Sequence, residues 1–282
     1  FAPQFGWNSQ TWFFVAALVL SVFALGGMAI IKMISALMGT SFVVEPVPKP
    51  EPTSEVMVHR PDRSCLRIRF YGSRDGIPLI CTHGWGLNSN EWNYLIPKLQ
   101  EGFQIVTWDL PGLGRSRAPS ERSFSLENLA AHLRIVTALT NHRSAVLIGH
   151  SIGGMIILTF CRMFPELLGD KVCGLVLAHT TPTNPIRTTS ASSLLTKIEK
   201  PVLVPLLYLT IALSPLVRAM SWLSYLNGSA HLANKSSSYG GSQPWSKVEF
   251  ATHFQPLASP AVLARGMLAM MNYDARLTLK QI

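Results

Sequence analysis

The chain has few acidic residues and few cysteines, and each scarcity closes off a class of function. Fifteen Asp and Glu stand against 24 Lys and Arg in 282 residues, a formal net charge of +9. Charged residues of both signs still make up only 14% of the sequence, and no run of Lys and Arg reaches the density of a nucleic-acid or heparin patch. The basic excess therefore implies no nucleic-acid partner and, at most, a bias toward a membrane surface. Cys65, Cys81, Cys161 and Cys173 sit singly inside apolar runs. None has the C-x-x-C spacing of zinc or thiol–disulfide chemistry, so no metal site is expected and all four read as buried, reduced thiols. No internal repeat is present. The glycines of "PGLGRS" at 111–116 lack both the Gly-Lys-Ser/Thr ending of a phosphate-binding loop and the full dinucleotide fingerprint, so they read as a tight turn, with no cofactor implied.

What is present begins with an uncharged run. After a flank of residues 1–11, the twenty residues from Trp12 to Ile31 carry no charge, which at about 1.5 Å per helical residue matches a hydrocarbon core of roughly 30 Å. A transmembrane helix with its flank is expected over 12–38. The alternative is a cleaved signal peptide, which has a shorter apolar region, a basic start and a small-x-small cleavage site. Lys32, Lys49, Arg60 and Arg63 follow the run, which places the rest of a single-pass chain on the cytoplasmic side by the positive-inside rule. Residues 43–55, with proline at 46, 48, 50 and 52, read as a stiff, extended linker. The folded domain is expected to begin near Val56.

From there short strands alternate with amphipathic helices, the pattern of an α/β fold with a mostly parallel sheet, for which 48% hydrophobic residues supply an ample core. "CLRIRFYG", "IPLICTHG", "FQIVTWDLPG", "SAVLIG" and "CGLVLAHT" read as strands. "NEWNYLIPKL", "SLENLAAHLRIVTAL" with Ser125 as N-cap, and the segment after Ser151 read as helices. The core extends over 56–181. Residues 182–271 lose the alternation and read as a helical cap, with 272–282 beginning a return to the core. Within the cap, Pro201 to Val217 is uncharged but holds three prolines. A buried pair of cap helices is expected there, with a second membrane span or an apolar lid, resting on a bilayer or lining an acyl pocket, as the alternatives.

The stretch that carries chemistry is "GHSIGG" at 149–154, between a strand and a helix. Gly149-His150-Ser151-Ile152-Gly153 fits G-x-S-x-G, in which a sharp strand-to-helix turn exposes a serine at the amino end of a helix. Side chains at Gly149 or Gly153 would collide with their neighbours, and the Ile152 amide would be free to donate to an oxyanion. With "HGWG" at 83–86 and "DLPGLGRS" at 109–116, the chain from Val56 onward resembles the α/β-hydrolase fold superfamily, in its capped esterase branch. That resemblance implies Ser151 as nucleophile and the backbone amides of Trp85 and Ile152 as the oxyanion hole. It makes His83, Gly84 and Gly86 the oxyanion loop, with His83 shaping the loop instead of acting as base, and Gly149, His150 and Gly153 the nucleophile elbow. Asp109 ends a strand and reads as structural. Haloalkane dehalogenases and epoxide hydrolases of the same fold carry Asp at the position of Ser151, which disfavours their reactions here.

The family orders its triad as Ser, then Asp or Glu, then His. After Ser151, His179 follows a strand where some members carry the acid, whereas His231 and His253 fall in the cap as surface or pocket-lining groups. Glu166, Asp170 and Asp274 do not follow a late strand. The acid and the histidine are therefore expected beyond Ile282, the 282 residues being a fragment. The function implied is a membrane-anchored serine hydrolase of an ester-like, lipophilic small-molecule acyl substrate. The alternatives are a carbon–carbon bond hydrolase or perhydrolase on the same scaffold, and a non-catalytic membrane-anchored binding protein.

Overall fold

The computed structural model describes residues 10, 12–14, 17, 27–37, 39–41, 45–140, 144–189 and 191–282. Most of the run expected to span a membrane lies outside these residues. Its described end belongs to α1, Gly27–Leu37, an apolar helix of 11 residues. Among the described residues no single helix is long and apolar enough to cross a membrane, and one pair, Ser192–Ala212 with Ser214–Leu226, has the length and composition only when taken together across a bend.

The chain divides into two compact units, Val47–Val217 with Leu257–Ile282, and Phe1–Pro46 with Arg218–Pro256. Residues 182–217 and 257–271 of the stretch read as a cap belong to the first unit, and 218–256 to the second.

The larger unit is built on a six-stranded sheet, β1 Ser54–His59, β2 Cys65–Gly72, β3 Ile77–Thr82, β4 Phe103–Trp108, β5 Ala145–His150 and β6 Val172–Ala178, in the order β1-β2-β4-β3-β5-β6. The parallel expectation holds for β4, β3, β5 and β6, whereas β1 and β2 join antiparallel. Strand β1 starts two residues before the expected boundary. Only Val58 among its six residues is even half-buried, so it has no apolar face for a sequence reading to find. The period-two rule assigns the central side chains to two faces. Leu79, Cys81 and Ile105 pack with Trp92 and Ile96 on one face, while Ile80, Val106 and Trp108 join Leu147 on the other.

Two helices cover that second face. Leu126–Ala138 starts at Ser125, whose hydroxyl accepts the Asn128 N–H, the N-cap expected from sequence. Ile152–Met163 buries ten of its twelve residues, which is why it is apolar all round. The helix expected over "NEWNYLIPKL" is instead a 3-10 segment, Ser89–Tyr94, followed by α2, Ile96–Leu99. Pro97 has no N–H to continue the first segment and starts the second. Cys65, Cys81 and Cys161 are buried free thiols, but Cys173 is exposed because β6 pairs only with β5 among the described residues. The apolar stretch 201–217 passes through a π-helical turn, Glu199–Leu203, into a helix over Val204–Ala212 that packs on Pro260–Met271. No residue of that helix is buried, which corrects the buried-pair expectation. Leu206, Tyr208 and Leu209 are each more than half exposed.

In the smaller unit α1 packs against Ser229–Ser238. The His231 ring lies between Tyr225, at 5.1 Å, and Trp245, stacked at 5.2 Å, with Nε2 2.5 Å from a Glu249 carboxylate oxygen. His231 is fully buried, not a surface or pocket-lining group.

Candidate functional site

Parallel registry aligns the carboxyl ends of three strands, Thr82 beside Gly149 and His150 beside Ala178. The loops that leave those ends are therefore neighbours. Ser151 caps Ile152–Met163 with φ 52° and ψ −117°, a conformation that L-residues rarely adopt and that costs on the order of 1–3 kcal/mol.

The surrounding contacts explain how this conformation is held. A Cβ on Gly149 would meet the Gly153 carbonyl carbon at 2.4 Å, and one on Gly153 would meet the Thr82 oxygen at 2.3 Å. Both glycines are required by backbone approaching backbone. The Ser151 N–H donates to the Ala178 carbonyl at 2.9 Å, and the Thr180 hydroxyl donates to the Ser151 carbonyl at 2.7 Å. The loop after β6 thus grips the turn from both sides. Thr180 was not singled out from sequence, because its role depends on a strand pairing that no local pattern encodes.

The loop 83–86 is fixed by three side chains. His83 is fully buried; its Nε2 accepts the Leu110 N–H at 2.9 Å and its Nδ1 donates to the Gly84 carbonyl at 2.8 Å. That pattern needs a neutral ring, and burial lowers its pKa accordingly. Trp85 Nε1 donates to the Leu263 carbonyl at 2.9 Å, and the indole lies so close to Gly266 that a Cβ there would sit 2.0 Å from the ring. Gly86 has φ 84°, open to glycine alone without strain. Glu91 accepts the Gly84 N–H at 2.9 Å through one oxygen, and its other oxygen lies 2.5 Å from His150 Nδ1. This carboxylate raises the His150 pKa. Glu91 links the loop to the residue before Ser151, and sequence spacing gave no sign of it.

Asp109 accepts the Ser89 and Arg115 N–H groups and shapes the 109–116 turn. Among the described residues, the Trp85 and Ile152 N–H groups and the Ser151 hydroxyl have no hydrogen-bond partner. His179, at φ 45°, places its ring 6.2 Å from that of His150. Asp274 is engaged by Arg276, which holds its pKa at about 2. No group of three or more His, Cys, Asp or Glu among the described residues could hold a metal ion.

A family model described as alpha/beta hydrolase fold matches residues 77–203. The pimeloyl-[acyl-carrier protein] methyl ester esterase of Sodalis glossinidius (strain morsitans) is 37% identical over 111 residues, 39% of this chain and 38% of the relative. A serine hydrolase-like protein of Mus musculus is 33% identical over 118 residues, 42% of this chain and 37% of the relative. The chain thus spans less than two-fifths of the length of these curated relatives. Among solved structures, that of a carboxylesterase from the thaumarchaeon Nitrososphaera gargenis superimposes with a TM-score of 0.60 at 17% identity, covering 80% of this chain and 76% of the other. Sheet order, the strand-to-helix turn at Ser151 and these likenesses agree: the chain has the α/β-hydrolase fold.

Proposed function

We propose that the protein is a serine hydrolase that cleaves an ester-like small molecule through an acyl-enzyme on Ser151. The observation that carries this reading is the strained turn at Ser151, which sets a free hydroxyl at a helix amino end, next in sequence to the unengaged Ile152 amide. In the proposed reaction the Ser151 oxygen attacks the ester carbonyl as its proton passes to a histidine. The Trp85 and Ile152 amides stabilise the oxyanion, the alcohol leaves, and water releases the acid. His83 uses both ring nitrogens, on Leu110 and Gly84, and His150 turns Nδ1 to Glu91, so neither is hydrogen-bonded to Ser151; the proposed reaction needs a histidine within hydrogen-bond reach of its hydroxyl.

The name of the Sodalis relative supports an ester as the scissile bond. The exposed apolar side chains of Leu206, Tyr208 and Leu209 support a lipophilic substrate. Membrane anchorage by residues 12–38 rests on the uncharged run alone, and carbonate extraction of the full-length protein from membranes tests it. A fluorophosphonate probe tests the reaction: the full-length protein should be labelled and Ser151→Ala should not. A folded protein that takes no label overturns the reading. It would favour a non-catalytic binding protein, the reading supported by a Ser151 hydroxyl that meets no histidine among the described residues.

A further inference from the structure

The β1–β2 turn and the chain after the 109–116 turn border an open depression of about 480 Å³, lined by His59, Arg60, Arg63, Ser64, Arg117 and Ser120, with Ala118. Every ionisable group in that lining is basic. The one carboxylate in the turn, Asp62, is used internally: it accepts the Ser64 N–H at 2.9 Å and the Ser64 hydroxyl at 2.6 Å, and faces His132 at 3.5 Å. Among the described residues, none of the three guanidinium groups lies within ion-pair distance of a carboxylate.

The walls are preformed. Cys65 and Arg117 exchange backbone hydrogen bonds of 3.3 and 2.8 Å, the Ser120 N–H donates to the Asp62 carbonyl at 3.0 Å, and Arg63 holds φ 63° in the turn. Arg117 Nε donates to the Arg63 carbonyl at 3.2 Å, which fixes the guanidinium and leaves its outer nitrogens free. Arg60 Nε is sealed from solvent without a partner. Asp62 offsets part of this charge through its attraction to Arg60, and the remaining like charges around the hollow repel one another unless a further anion joins them.

We infer that this depression is a binding site for a phosphate or phosphate ester. Three guanidinium groups offer more donors than a carboxylate can accept, whereas a phosphate presents three oxygens and close to two negative charges, and arginine forks match that geometry. The volume exceeds that of the ion, leaving room for part of the molecule that carries it. Because β2 is antiparallel to β4, its first residue lies on the sheet edge where β5 delivers Ser151, three strand spacings or roughly 15 Å away. The inference stands apart from the reaction proposed for Ser151.

Calorimetric titration with inorganic phosphate at constant ionic strength tests it. The protein should bind saturably, and Arg60→Gln and Arg117→Gln should each weaken binding about tenfold or more. Arg74→Gln removes the same charge beyond the other end of β2 and should leave binding unchanged. Thermal melts report whether each variant folds. If Arg117→Gln does not, Arg60→Gln carries the test. Absence of saturable binding, or equal weakening in Arg74→Gln, overturns the site. Co-sedimentation with phosphatidylcholine vesicles, with and without phosphatidic acid, separates the sources. Vesicle binding that phosphate competes away and Arg60→Gln abolishes identifies a lipid headgroup, and phosphate binding without vesicle binding identifies a soluble phosphate ester.

Discussion

Glu91 shows how much one side chain can organise without touching the proposed nucleophile. Its two oxygens hold the Gly84 amide and the His150 ring, so the loop carrying Trp85 and the turn carrying Ser151 share one carboxylate. The partnership raises the His150 pKa above the ordinary 6.5. A raised histidine pKa adds stability in full below the unfolded value, and the gain is lost as pH rises through the folded value. Glu91→Gln keeps an acceptor for Gly84 and removes the charge facing His150. Its melting temperature should fall below that of the wild type under pH 6.5, and the gap should close at alkaline pH. A gap of the same size at every pH would show that packing, not charge, sets the effect. The groups facing His150 besides Glu91 are His179 and His83, and neither supplies a negative charge. The glycines and Ser151 were legible in the sequence because each answers a local steric or turn requirement, whereas the loop-shaping role of His83 came from the family resemblance, its bond to Leu110 spanning separate loops. Glu91 and Thr180 were not, since they matter only once separate loops have been brought side by side.

Strands were the easiest elements to read. The strands from Cys65 to Ala178 are either mostly apolar runs or, in β2 with Arg67 and Arg69, an alternating one, each bounded by turn residues, and patterns of that kind need no partner to be recognised. The exceptions have physical causes: β1 lacks an apolar face, and Pro97 divides one expected helix into two short ones. Helix Pro260–Met271 was recognised as helical, but nothing in its sequence says that it presses Gly266 against the Trp85 indole and accepts that ring's N–H at Leu263. Gly266→Ala forces a methyl group into the ring, and overpacking of this kind costs about 1–3 kcal/mol. Urea unfolding should show a lower midpoint with an unchanged slope. An unaltered midpoint would mean that the helix can shift away from the loop at no cost. The same substitution should slow fluorophosphonate labelling of Ser151, because the Trp85 amide moves with its side chain.

On the scale of the whole sheet, protection should follow strand order. β3 lies between β4 and β5 and is almost wholly buried, whereas β1 and β6 each have one paired side among the described residues, and Val176 on β6 is 47% exposed. Amide exchange should be slowest in β3, β4 and β5 and faster in β1 and β6. If β6 exchanged as slowly as β3, strand order would not be what sets protection in this sheet. Stability on this scale is a small difference between large quantities, about 5–15 kcal/mol for a typical domain, so a single strained residue takes a visible share. Ser151 is such a residue. Glycine would occupy φ 52° without strain, so selection for a sturdier fold alone favours that replacement at this position. A lineage that no longer used the hydroxyl would have little reason to keep it, and the serine would be among the first letters of the motif to disappear.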